Sequence, residues 1–90
     1  MTLRLDSTEQ TKVSDSWTPE GETYLQLSTT QTSVLVEVQA RLDGAADHAT
    51  IARLHKTSSP MVRLPPFPSL KLVMIGNKGG EQVTVVDYTP

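Results

Sequence analysis

Two histidines, ten carboxylates and no cysteine are the reactive raw material of this 90-residue chain. His48 and His55 lie seven positions apart. On an extended strand an odd separation turns the two rings to opposite faces, so they are not expected to share a metal ion. Asp43, Gly44 and Asp47 suggest a calcium loop, but the D-x-[DN]-x-[DN]-G order that such a loop needs is absent. Serine, histidine and acid are all present, yet no G-x-S-x-G sets up a nucleophile. The carboxylates are scattered and define no acid/base pair. Gly76, Gly79 and Gly80 lie between two strand-like runs and not before a helix, which is the wrong setting for a phosphate cradle. The residue types therefore predict no catalytic residues, no cofactor and no metal, and the expectation is a protein that is not an enzyme.

Two further features point to recognition. Pro65 and Pro68 satisfy P-x-x-P, a spacing that favours polyproline II and docks on aromatic grooves. However, Arg63 is one position short of the basic-x-x-P-x-x-P offset, and the motif sits between hydrophobic runs where a ligand motif sits in polar, disordered sequence. Val62–Asn77 is thus expected to contain a corner, in which prolines withhold backbone donors and stop edge pairing, with Phe67 plugging the open end of the core. Trp17 stands in the polar context Ser-Asp-Ser-Trp-Thr-Pro-Glu-Gly. It either folds back to cap its own domain or anchors on a neighbour, where tryptophan is enriched among hot spots.

The elements that hold these residues follow from period-two patterning. In 34–42, Val34, Val36, Val38, Ala40 and Leu42 point one way, and Leu35, Glu37, Gln39 and Arg41 the other. At ~3.3 Å per residue this strand spans roughly 30 Å. Asp43-Gly44 supplies a turn, and a return strand at about 48–55 completes a hairpin. Ile51 and Leu54 break strict alternation there, which predicts a bulge or a strand end. Met61–Leu64 is a short strand stopped by Pro65-Pro66. Leu70–Ile75 is apolar on both faces and is expected to be central or doubly covered. Gly76-Asn77-Lys78-Gly79-Gly80 then turns the chain into a second hairpin with Gln82–Tyr88. Tyr24–Ser28 is an earlier strand. Nothing has a helical period. The fold class is all-β, a small antiparallel sandwich or barrel of immunoglobulin-like or jelly-roll-like type.

The chain changes character near position 33. Residues 1–33 hold thirteen Ser or Thr and eight apolar residues, whereas 34–90 hold twenty-five apolar residues. Residues 1–21 are accordingly expected to be an extended polar arm or an edge segment, with Leu3 and Leu5 forming a short strand, and 22–90 the sandwich domain. A chain of this size buries only about 60–65% of its unfolded surface, so self-association is expected to add stability. The net charge of −2 gives no basic footprint for nucleic acid. The longest run of Val, Ile, Leu and Met is Leu72–Ile75, far short of the roughly 20 apolar residues of a membrane-spanning helix, and the first ten residues lack a secretory pattern. The expected product is soluble and cytoplasmic, with no membrane partner.

The order of Val34-Leu35-Val36-Glu37-Val38, Leu42-Asp43-Gly44, the Leu64-Pro65-Pro66-Phe67-Pro68 corner, Leu70-Lys71-Leu72-Val73-Met74-Ile75-Gly76 and a terminal valine strand resembles the short all-β virion modules of tailed bacteriophages. These include capsid decoration (cement) proteins and tail- or connector-associated sandwiches, and the likeness covers about 22–88. It differs in carrying His48 or a neighbour where a tryptophan often follows the turn. The resemblance implies a virion structural protein, made in the host cytoplasm, that forms homo-oligomers and contacts the major capsid protein or another virion protein. The contact residues expected on this reading are Leu3, Leu5, Trp17 and Phe67. The alternative is a tail-associated sandwich that binds a receptor or carbohydrate, for which Trp17, Tyr24, Phe67 and Tyr88 would have to share one surface.

Overall fold

The alternation in the valine strand has the consequence that physics requires: Val34, Val36 and Val38 are fully buried and Ala40 is 6% exposed. The computed structural model describes residues 2–90 and is all-β. Its strands are β1 (Thr2–Ser7), β2 (Lys12–Val13), β3 (Thr23–Ser28), β4 (Leu35–Arg41), β5 (Ala49–His55), β6 (Met61–Leu64), β7 (Ser69–Ile75) and β8 (Val83–Tyr88). They form two four-stranded antiparallel sheets, a first in the order β1-β8-β3-β6 and a second in the order β2-β7-β4-β5. The fold is a small sandwich. Each sheet turns one apolar face inward: Leu5, Leu25, Leu27, Leu64, Val83 and Val85 from the first, Val36, Val38, Leu54, Leu70, Leu72 and Met74 from the second. Fully burying each such side chain contributes about 1.5–3 kcal/mol, and this shared layer is what holds the sheets together.

The expected β4–β5 hairpin is present, and its irregularity lies at Ile51. Val38 pairs with Ala52 and Gln39 with Thr50, so Ile51 is the extra residue of a bulge. The proline stretch is a corner between layers. β6 belongs to the first sheet and β7 to the second, and Phe67 packs half-buried against the core beneath the crossing.

One expectation of strand pairing needs correction. β7 and β8 do not form a hairpin, because they lie in different sheets. Both edges of β7 are occupied, by β4 and β2, so β8 instead fills the gap between β1 and β3. A glycine-rich turn serves either a hairpin or a crossing, and only the occupied edges decide between them. Gly76 (φ +82°) makes this turn, and a Cβ there would collide with the Ser33 carbonyl oxygen. Asn77, 2% exposed, fixes the crossing by donating from Nδ2 to the carbonyls of Glu9 (3.0 Å) and Glu81 (2.9 Å). β7 is interior in its sheet, as expected, and its outward face is partly open, with Ile75 42% exposed.

Of the two alternatives for the segment before residue 22, arm or edge segment, the chain takes the edge. β1 is the edge strand of the first sheet and β2 that of the second. Between them, Trp17 exchanges backbone hydrogen bonds with Leu70 at 2.9 and 2.8 Å. This polar stretch suits an edge because an edge strand needs few inward apolar residues. Here Leu5 is the one large side chain that β1 sends into the core.

Candidate functional site: the outer face of the first sheet

β1 contains a bulge. Leu3 pairs with Val86 and Leu5 with Val85, leaving Arg4 as the extra residue. On a regular strand Leu3 and Leu5 would share a face. The bulge separates them: Leu5 is 3% exposed in the core, and Leu3 is 50% exposed outside. It also aims Arg4 at the sandwich edge, where Nε donates to Asp87 Oδ2 at 2.6 Å. The Arg4 guanidinium lies 4.7 Å from the Trp17 ring centroid, within cation–π range. Asp87 also accepts from the Thr2 backbone N–H at 3.1 Å. Trp17 therefore caps its own sandwich, closing the edge between β1 and β7. Its indole Nε1 is buried without a hydrogen-bond partner.

Outside this edge, the register builds a continuous row. Leu3 opposes Val86, Val86 opposes Gln26, and Gln26 opposes Met61, so one line of outward side chains crosses all four strands. The neighbouring row places Tyr88 opposite Tyr24 and Tyr24 opposite Arg63. The two tyrosine rings lie 6.3 Å apart between centroids at a 46° tilt, an aromatic pair within favourable range. Met61 is 53% and Tyr88 52% exposed. Tyr24, Gln26, Met61, Val86 and Tyr88, with Pro90 at the margin, line a surface depression of about 470 Å³. Asp87 also lines it, and beside the depression Glu22 accepts from the Tyr24 hydroxyl (3.2 Å) and pairs with Arg63 (3.0 Å).

Of the four contact residues expected from sequence, Leu3 alone lies exposed on this face. Leu5 is core, and Trp17 and Phe67 are half-buried against the core. The four aromatics do not share a surface: Tyr24 and Tyr88 pair on the outer face, Trp17 sits at the β1–β7 edge, and Phe67 at the proline corner. Met61, Val86 and the tyrosine pair were missed as a set. The signal that could have found them is outward parity within each strand, but joining them requires the strand order.

Among the described residues no group of three or more His, Cys, Asp or Glu is placed to hold a metal ion. No helix there is long and apolar enough to cross a membrane. Comparison with protein-family models, curated proteins and solved structures finds no significant match to this chain.

Proposed function

We propose that this chain is a structural contact module that decorates or cements a bacteriophage capsid, docking through the outer face of the first sheet. The observation that carries the reading is that Leu3, Val86 and Met61 in one row and the Tyr24–Tyr88 pair in the next join into one apolar and aromatic patch on this face. Contiguous apolar patches of this kind mark interaction sites, and tyrosine is favoured at interfaces because one ring offers apolar area and a polar tip. A stable interface buries about 800 Å² per partner, a modest share of the 5149 Å² that the chain exposes. The test is co-sedimentation with assembled bacteriophage capsids, together with sedimentation velocity of the chain alone. The reading expects capsid binding and self-association. A chain that stays monomeric at high concentration and ignores capsids ends it.

A second reading is favoured by one specific observation. The paired tyrosines beside a 470 Å³ depression suit a tail-associated sandwich that stacks a sugar ring on aromatic faces. Glycan-array binding that disappears in Tyr88→Ala, without any capsid affinity, selects this reading over the first.

A further inference from the structure

A second feature lies on the opposite sheet, at the end where β4 and β7 begin to separate. Arg41 of β4 pairs directly with Ser69 of β7, and Lys71 follows Ser69 on the same outward face, opposite Gln39. The β4–β5 loop brings His48 over this point, with Nε2 2.9 Å from Ser69 Oγ. His48 covers the serine, which is only 8% exposed although it faces outward. Arg4, Arg53 and Arg63 each have a carboxylate partner, but among the described residues Arg41 and Lys71 have none. Two unpaired cations, a histidine and a hydroxyl thus surround one spot on the surface.

We propose that Arg41, Lys71, Ser69 and His48 form a binding site for a tetrahedral oxyanion, a phosphate or sulfate group. Arg41 and Lys71 supply charge-assisted donors. In the tautomer that carries its proton on Nε2, His48 donates to Ser69 Oγ and leaves the serine hydroxyl hydrogen free to donate to the anion. The field of the site supports this reading. Partial burial, then Lys71, then Arg41 hold the His48 pKa below its usual 6.5, opposed only by Asp47. An anion seated between the cations offsets that repulsion, so its binding strengthens as His48 takes up a proton. This inference is independent of the capsid reading, because it uses the other sheet.

The experiment is an NMR titration of the full chain, following the His48 and His55 ring protons while inorganic phosphate, sulfate or glucose 6-phosphate is added at constant ionic strength. His55 lies at the far end of β5, with Nε2 2.7 Å from the Thr32 carbonyl, and serves as the internal control. The expected result is a saturable shift at His48 and not at His55, with the His48 titration midpoint moving upward as anion binds. Removing one charge-assisted donor weakens binding by about tenfold, so the double variant Arg41→Gln/Lys71→Gln should abolish saturation while remaining folded by circular dichroism. Tighter binding of glucose 6-phosphate than of inorganic phosphate assigns the site to a phosphate carried on a larger partner, and equal binding assigns it to the free ion. Equal, unsaturating shifts at both histidines, or a double variant that binds as well as the parent, overturn the proposal.

Discussion

The two sheets are alike inside and unlike outside. Inward, each presents leucines and valines at zero to a few per cent exposure. Outward, the first sheet carries the Leu3–Val86–Gln26–Met61 row and the tyrosine pair. The second crosses from Val13 through Val73 to Glu37 and Arg53, with an ion pair in the row and cations at its end. The difference teaches that period-two patterning fixes only one face of a strand. The other face is free to vary, and it is there that the two sheets differ.

The comparison yields predictions that can be ordered by size. The inner faces should respond equally to damage. Leu25→Ala in β3 and Leu72→Ala in β7 are each expected to cost about 2–5 kcal/mol, measured by urea unfolding. A large asymmetry between them would mean that one sheet, not the shared layer, carries the stability.

The ion pairs should respond unequally. Asp87 has a side chain 7% exposed and Arg4 28%, whereas Arg53 and Glu37 are 61% and 26% exposed at 3.7 Å. Asp87→Ala leaves Arg4 without its carboxylate beside Trp17 and removes an acceptor for the Thr2 N–H, so a loss of about 1–3 kcal/mol is expected. Arg53→Ala should cost at most about 0.5 kcal/mol. Comparable losses would show that the β1 bulge does not bind the edge more tightly than an ordinary surface pair.

Much of this fold was legible in the sequence, and the failures have a common cause. The valine strand, the β4–β5 hairpin with its bulge near Ile51, and the proline corner follow from local patterning and turn chemistry. The β7–β8 hairpin did not materialise, because Gly76-Asn77-Lys78-Gly79-Gly80 says that the chain turns but not which edge β8 will find free. For 1–21 the arm and the edge segment were both open, because the thirteen Ser and Thr of 1–33 signal a polar segment that fits either, and only the pairing selects the edge. Leu3 and Leu5 were expected in one short strand and among the same contact residues, and a bulge at Arg4, set by pairing with a strand some eighty residues away, put them on opposite faces. The candidate face is non-local throughout, since each of its rows draws on strands far apart in the sequence.

Smaller effects sharpen the account. Pro65→Ala and Pro68→Ala loosen the unfolded chain and the corner, and each should lower stability by about 0.4–1 kcal/mol without changing association or capsid binding. Loss of binding in a still-folded variant would return the proline stretch to the role of a ligand motif.

The smallest expected effect is at His48. Its pKa is held below 6.5 in the folded chain by partial burial and by Lys71 and Arg41, so below pH 6.5 the unfolded chain binds more protons than the native one. Stability from this group is present above pH 6.5 and lost as pH falls through the lowered folded value. Urea midpoints at pH 7.5 and pH 5 should therefore fall further for the parent than for His48→Gln. Equal falls would remove the cationic field from the second sheet.

The division of labour between the outer faces is tested most directly by one pair of charge insertions. Tyr88→Lys places a cation on the first face and Ile75→Lys places one on the second, at sites 52% and 42% exposed. The second should cost within about 0.5 kcal/mol, and the first also gives up the pairing with Tyr24, about 0.5–1.5 kcal/mol, so both are checked for folding by circular dichroism. Sedimentation velocity and capsid co-sedimentation of both variants should show association lost in Tyr88→Lys and retained in Ile75→Lys. Association retained in the first and lost in the second would contradict the assignment of the contact surface to the first sheet.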